Sequence, residues 1–233
     1  MEGGSAGVGT VFKLDPLGNL SILHSFGAGL APDGQYPCVG VIRVGGILYG
    51  TTNEGGAYNN GAVYRVDTAG NEKLIDSFAL DASQGLEPCA MLDHDAAGNL
   101  FGTTSQGGTY QWGTIFKIAP NGKATILYNF TGGAADGGLP YAALTHDAAG
   151  NFYSIAQVGG AYGYGTVFKL DPAGNFTVLH AFTGGADGGF GLGDAGSHDS
   201  VILDAAGNLY GTAPLGGSAF GSSGNGVVFK ITP

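Results

Sequence analysis

The sequence predicts an all-β protein built from four tandem, four-stranded units, and three observations lead to this fold class. One phrase recurs five times, at offsets of 52, 52, 52 and 61 residues: GTVFKLD (9–15), GAVYRVD (61–67), GTIFKIA (113–119), GTVFKLD (165–171) and GVVFKIT (226–232). Glycine accounts for 47 of the 233 residues, which suits a chain with many tight turns between short strands. No segment has a helical period, and a unit of this length with four strands is typical of a β-propeller blade.

Each unit contains four short apolar segments, named here strands A to D. In the second full unit they span 89–94, 100–104, 114–118 and 125–130. Strand C alternates with a period of two, since Phe116 and Ile118 share one face while Ile115 and Lys117 share the other. The A–B turns read DAAGN and the C–D turns read DPxGN or similar, so glycine and asparagine can supply the positive φ of tight hairpins.

The two ends of the chain complement each other, which predicts a closed ring within a single domain spanning 1–233. The units cover approximately 37–78, 88–130, 140–182 and 198–233, and the last unit lacks strand D. Residues 21–26 resemble a strand D, so we expect segment 9–26 to close a four-bladed propeller in which the N- and C-terminal strands share one blade. Residues 9–15 are then a surplus strand that can compete with 226–232, add an outer strand, or pair with another chain.

The charge balance argues against several partner classes. The chain has 8 basic and 18 acidic residues and a formal net charge of −10, whereas nucleic-acid and anionic-membrane surfaces attract clustered basic residues. No apolar run reaches the roughly 18 residues of a transmembrane helix, so membrane insertion is not expected. The first residues, MEGGSAGVG, lack the basic and apolar regions of a secretory signal.

Aromatic residues recur in the long B–C connections. In an up-and-down meander these connections share one face with the long D–A loops, while the short turns share the other face. Functional residues usually lie in such loops on a rigid scaffold. The rings can stack on sugars or fill the gaps between loops; Trp112 and Tyr164 are the preferred ligand contacts because they do not occur in every unit, and the others are Tyr58, Tyr110 and Tyr162.

The start of strand A provides a candidate metal site. Counting back from the aromatic residue of each strand B places Cys38, Cys89, Tyr141 and His198 at equivalent positions, and Asp199 follows His198. If strand A is innermost, these residues surround the channel mouth, where two thiolates and an imidazole would suit zinc or copper. Two alternatives remain open for the cysteines, which can form a disulfide or pack as small core residues.

The repeat resembles a known family. The run GTVFKLDPxGNxTVLHxF, followed by TGGADG and LDAAGNLYGTTxxGG, is similar to the GloVer tandem repeat of bacterial proteins; the copy at 165–188 is the closest, and the similarity covers essentially the whole chain. This resemblance implies a propeller and a secreted or cell-surface bacterial protein. It carries no catalytic residue onto the sequence.

The sequence contains no HExxH, GxSxG or phosphate-loop motif. We therefore predict an extracellular binding module, for carbohydrate or another extracellular polymer, that uses the long-loop face. The first alternative is a metal-dependent enzyme (an oxidase, hydrolase or lyase) that uses the Cys/Cys/His cluster. The second is a structural assembly unit that self-associates through its surplus edge strand.

Overall fold

The computed structural model describes residues 3–27, 29, 32–79, 83–191, 200–217 and 224–232. All regular elements in these ranges are β-strands, which confirms the all-β class. Within the same ranges there is no helix long and apolar enough to span a membrane.

The chain begins with a hairpin, and a four-stranded sheet follows it. The terminal hairpin consists of β1 and β2, which pair antiparallel. The first four-stranded sheet is a meander in the order β4-β5-β7-β8, and the short strands β3 and β6 pair with each other beside it; this sheet and the three that follow it are named here the first to fourth blades. The strands are β1 (Thr10–Leu14), β2 (Leu20–Ser25), β3 (Gly34–Gln35), β4 (Ile42–Val44), β5 (Ile47–Thr52), β6 (Glu54–Gly55), β7 (Ala62–Val66) and β8 (Glu72–Ser77).

Three further sheets repeat this meander. The second and third blades have four strands each, and the fourth blade has three in the described residues. The second blade contains β9 (Asp93–His94), β10 (Leu100–Thr104), β11 (Thr114–Ile118) and β12 (Ala124–Asn129). The third contains β13 (Thr145–His146), β14 (Phe152–Ala156), β15 (Thr166–Leu170) and β16 (Phe176–Ala181), and the fourth contains β17 (Ile202–Leu203), β18 (Leu209–Ala213) and β19 (Val227–Ile231).

Strands B and C of the second blade have the predicted bounds, whereas strand A is shorter. Only Asp93–His94 pairs with β10, instead of the whole of 89–94. The preceding residues bond to the neighbouring blade, because Thr51 Oγ1 of β5 donates to the Ala90 carbonyl oxygen at 3.2 Å. The next junction repeats this contact from Thr103 to the Ala142 carbonyl oxygen at 3.3 Å. The first residues of strand A therefore bond to the preceding blade, and only its last two residues pair within their own sheet.

The hydrophobic core lies between the blades. Ile115 and Phe130 of the second blade pack in one cluster with Phe168 and Leu170 of the third, and all four are almost completely buried. The equivalent residues form the other junctions, including the one where Val11 and Phe26 of the terminal hairpin pack with Tyr64 and Val66 of the first blade. Each such side chain contributes about 1.5–3 kcal/mol by burial, so neighbouring blades stabilise one another.

The predicted closure of the ring is not formed. Residues 21–26 were expected to join the blade at 198–233, but β2 pairs with β1, and no ladder joins β2 to β19 in the described part of the chain. A five-residue turn links β1 to β2, so their pairing carries a far smaller loop-closure cost than pairing across the whole domain. The apolar face of β1 is consequently open: Phe12 is 58% exposed, whereas its repeat equivalent Phe116 is fully buried.

Candidate functional site

The antiparallel meander separates two faces of the molecule. The short-turn face carries the A–B and C–D turns, and the long-loop face carries the B–C and D–A loops. On the short-turn face, Asp204 Oδ1 accepts the backbone amides of Ala206 and Asn208, while Oδ2 accepts the Asn208 side-chain amide at 2.8 Å. Five more turns contain the same Asp–Asn bonds, and they begin at Asp15, Asp67, Asp95, Asp147 and Asp171.

This bonding revises the role predicted for asparagine in the turns. The glycine of each turn has a positive φ, for example 85° at Gly207, but the asparagine after it does not and instead closes the turn through its side chain. The bonds from Asn208 stabilise the ionised carboxylate and lower the pKa of Asp204 to about 2. The short-turn face is therefore a set of nearly identical, internally satisfied turns.

Aspartates of the D–A loops organise the long-loop face. Asp136 is buried and accepts bonds from the Tyr128 hydroxyl at 3.0 Å and from both the amide and the hydroxyl of Thr131. Asp187 makes the equivalent contacts with His180 and Thr183. Each carboxylate thus holds its loop against the end of strand D. The His180 side chain is part of this loop contact, a role that was not predicted from the sequence.

Backbone strain also recurs on this face. Tyr36, Glu87 and Leu139 occupy equivalent positions and have φ of 56°, 55° and 53°, a region that non-glycine residues rarely adopt. Their carbonyl oxygens accept the amides at the start of the following B–C loops, including Asn53 N at 3.0 Å. These hydrogen bonds join each of the three D–A loops to the following B–C loop and hold the rare backbone conformation in place. Such conformations are common at functional surfaces.

The aromatic residues predicted as ligand contacts all lie exposed on the long-loop face. The recurring tyrosines are the most accessible, with Tyr162 at 61%, whereas Trp112 is 37% exposed. Trp112 packs on glycine: a Cβ added to Gly132 would lie 2.4 Å from the indole ring. Tyr164 packs on Gly184 in the same way. The preference for Trp112 and Tyr164 as ligand contacts stays a prediction. Together with Tyr36, the exposed rings of this face form a group called here the aromatic row, which comprises Tyr36, Tyr58, Tyr110, Trp112, Tyr162 and Tyr164.

The candidate metal set does not form as proposed. Cys38 and Cys89 are joined by a disulfide, with their Cα atoms 5.7 Å apart, so neither offers a thiolate to zinc or copper. Cys38 and Cys89 occupy equivalent positions of two neighbouring blades, as the spacing along the repeat predicted, and of the alternatives left open for them the structure contains the disulfide. Tyr141 is half-buried at the same position of the third blade, while His198 and Asp199 lie outside the described residues.

A group of three titratable residues, His24, Asp33 and Glu72, was not predicted from the sequence. His24 Nε2 lies 3.2 Å from Asp33 Oδ2, and Glu72 of the first blade lies close to both. Burial, together with the negative charge of Asp33, raises the pKa of Glu72 to about 7. The signal that could have found this group is a carboxylate at the first residue of strand D, where the next two blades have Ala124 and Phe176.

A pocket also opens on the short-turn face, between the second and third blades. Its volume is about 310 Å³, at the lower end of the range for small-molecule sites. Apolar side chains, including Phe101 and Phe152, line it together with His94, His146 and Lys117. Lys117 Nζ lies 5.7 Å from the centre of the Phe101 ring, and His146 is bonded to Asp93, so most of its polar groups already have partners.

Comparisons with known proteins bear on the fold and the family. A family model described as the Gloeobacter/Verrucomicrobia repeat matches residues 1–199. No curated protein matches the chain. One similar solved structure is a protein described only provisionally as a gluconolactonase (TM-score 0.51, 14% identity, covering 96% of this chain and 71% of that chain). Another is a protein of unknown function from Bacteroides thetaiotaomicron (TM-score 0.58, 17% identity, covering 97% of this chain and 55% of that chain).

At these identities the similarity to solved structures concerns the fold alone. The chain spans little more than half of the Bacteroides protein and 71% of the other. Together with the four successive antiparallel sheets, the similarity supports a propeller-like arrangement of tandem repeats.

Proposed function

The chain belongs to the Gloeobacter/Verrucomicrobia repeat family, and from this premise we propose that it is a non-catalytic binding module for carbohydrate or another extracellular polymer. The observation that carries the proposal is the aromatic row on the long-loop face. Exposed aromatic rings supply large, rigid contact areas with a low entropic cost. Tyr58, Tyr110 and Tyr162 recur every 52 residues, so successive blades offer similar contacts to successive units of a polymer.

The charge of the chain favours a neutral or weakly charged polymer. The net charge of −10 would repel strongly anionic polymers, and basic side chains are few. The glycines beneath Trp112 and Tyr164 support flat ring orientations, because any larger residue at Gly132 or Gly184 would displace the rings. Stacking on the faces of sugar rings needs this geometry more than it needs charge.

We also propose that the protein acts outside the cell. The disulfide between Cys38 and Cys89 supports this location, because disulfides persist in oxidising compartments and are rare in the cytosol. The resemblance of the repeat to exported bacterial proteins points in the same direction.

Affinity electrophoresis through gels containing single polysaccharides tests the binding proposal. We expect at least one neutral glycan to retard the wild type, and Tyr110→Ala or Tyr162→Ala to weaken its Kd by roughly 2- to 13-fold, which corresponds to about 0.5–1.5 kcal/mol for one stacking ring. Leu17→Ala is the matched control, because Leu17 is an exposed apolar residue in a turn on the opposite face. Equal retardation of all the variants, or of none of the proteins on any glycan, would reject the proposal.

A second proposal concerns the terminal blades and retains the predicted ring of four. We propose that β19 can replace β1 beside β2, so that the terminal faces cover each other. Val228 of β19 is 82% exposed, whereas its repeat equivalents Val63, Ile115 and Val167 are fully buried. Ile22 of β2, the strand that β19 would join, is 51% exposed, whereas its repeat equivalents Ile126 and Val178 are half-buried. The repeat therefore provides complementary surfaces at the two ends of the described chain.

Val228→Asp tests this closure. In a closed ring the new carboxylate would be buried against the first blade, so the melting temperature should fall by several degrees. In the open arrangement the position is exposed and the substitution should be neutral. Leu17→Asp is the control for an added surface charge. Unchanged melting of Val228→Asp, or a dimeric mass by light scattering, would rule out closure within one chain.

A further inference from the structure

The junction between the terminal hairpin and the first blade brings three ligating side chains together. His24 comes from β2, Asp33 from the loop that follows it, and Glu72 from the first residue of β8. One ligand atom from each residue lies within 4.8 Å of the other two. All three residues are half-buried, and among the described residues this is the single group of three such side chains at that spacing.

Two members of the group belong to the repeat and do not indicate a ligand by themselves. His24 and Asp33 correspond to His180 and Asp187, whose side chains lie 3.0 Å apart at a later junction. Asp33 also accepts the backbone amides of Gly27 at 2.9 Å and Gly34 at 2.7 Å, so it organises its loop as the equivalent aspartates do. The His–Asp pair therefore has a structural role in every junction where it is described.

Glu72 is the member that departs from the repeat. At the equivalent position of the third blade, Phe176 stacks on Tyr128 with ring centres 4.2 Å apart. Tyr128 is the repeat equivalent of His24, so at that junction an apolar side chain packs on this position. Glu72 puts a carboxylate in the place of Phe176. Its Oε1 atom is buried and has no hydrogen-bond partner. A buried, unpartnered carboxylate oxygen is costly, and such departures from a repeat tend to mark functional positions.

We propose that His24, Asp33 and Glu72 bind a divalent transition-metal ion of the zinc type. One imidazole nitrogen and two carboxylate oxygens form a ligand set that zinc accepts, and the fourth position would be filled by water. Calcium is disfavoured because it takes six to eight oxygen ligands. The ion would give the Glu72 carboxylate a partner and offset the charge of two adjacent carboxylates.

The site has a structural consequence that is separate from polymer binding. Zinc–ligand bonds of about 2 Å place tetrahedral ligand atoms roughly 3–3.5 Å apart, so the three side chains would need only to move closer together. Because His24 and Glu72 belong to different sheets, the ion would link the terminal hairpin to the first blade. Zinc should consequently raise the melting temperature of the full chain.

Calorimetric titration of the chelator-treated full chain with Zn²⁺ tests the site. We expect one bound Zn²⁺ per chain in the wild type and a more than tenfold weaker affinity in Glu72→Gln, since even outer-shell changes cost about 10–100-fold. Glu72→Gln keeps the size of the side chain and removes a buried charge, so it should fold, as circular dichroism can verify. His180→Gln is the matched control, because it alters the equivalent pair, which has no third ligating side chain at this spacing among the residues that the structure describes.

Thermal melts provide the second readout. Added Zn²⁺ should raise the melting temperature of the wild type and of His180→Gln, but not that of Glu72→Gln. The proposal is overturned if Glu72→Gln binds Zn²⁺ as tightly as the wild type, if His180→Gln removes the binding, if Ca²⁺ binds in preference to Zn²⁺, or if the wild type takes up no Zn²⁺ at millimolar concentration.

Discussion

The two faces of the molecule are built from the same repeat, yet they follow different rules. On the short-turn face, six turns repeat one Asp–Asn bonding pattern almost without change. On the long-loop face, equivalent positions carry different side chains: Asn60, Trp112 and Tyr164 at one position, and His24, Tyr128 and His180 at another. Turns that satisfy themselves locally can be copied unchanged, whereas loops that contact the next blade can vary and so acquire specificity.

The largest expected effect separates the aromatic residues of the core from those of the aromatic row. Phe130 ends the strand D segment of the second blade and is fully buried against the third, so Phe130→Ala should cost about 3–5 kcal/mol of unfolding free energy. Tyr162→Ala removes an exposed ring of the aromatic row and should change the free energy of unfolding by less than about 0.5 kcal/mol. Urea unfolding of both variants measures the difference, and similar losses would mean that the aromatic row is structural.

The disulfide should have the next largest effect. It joins the first two blades across a sequence separation of 51 residues, and such a crosslink typically contributes about 2–4 kcal/mol by restricting the unfolded chain. The double variant Cys38→Ser/Cys89→Ser should lose stability by this amount and become insensitive to reductant. Chemical denaturation of both proteins with and without dithiothreitol provides the comparison. A wild type that is equally stable in both conditions would contradict this structural role.

The difference between the faces also explains what could be read from the sequence. The bounds of β10 and β11 follow from alternation and turn spacing, which are local properties of the chain. The packing of Trp112 on Gly132 is not local, since the glycine lies in the next D–A loop and many glycines have similar neighbours. Pairing of Cys38 with Cys89 required knowing how closely two blades approach each other. Counting along the repeat identified the equivalent positions but could not choose between metal, disulfide and packing.

The pairing of β2 is an instructive exception, because the repeat made two partners equally suitable. Strands β1 and β19 have nearly the same sequence, VFKL against VFKI, so pattern alone could not decide between them. Chain connectivity favours β1. Likewise, Glu72 was visible as a departure from the repeat, but its proximity to His24 and Asp33 depends on how the terminal hairpin packs on the first blade.

The smallest expected effect concerns one turn of the short-turn face and depends on pH. Bonds from the Asn175 side chain and amide lower the pKa of Asp171 below its ordinary value, so the ionised carboxylate stabilises the folded state. Asp171→Asn should therefore be less stable than the wild type at pH 7. The difference should shrink as the pH falls through the lowered pKa of Asp171, because protonation removes the same interaction from the wild type.

The chain contains its own control: the C–D turn of the second blade has Ala119 in place of aspartate and closes with Lys123 N bonded to Asn121 Oδ1. Ala119→Asp adds a carboxylate without the matching asparagine side chain, so its pH-dependent gain should be smaller than the contribution of Asp171, as thermal melts between pH 3 and pH 7 can show. If both variants shift the pH profile equally, net charge rather than the Asp–Asn bond governs the acid stability of this face.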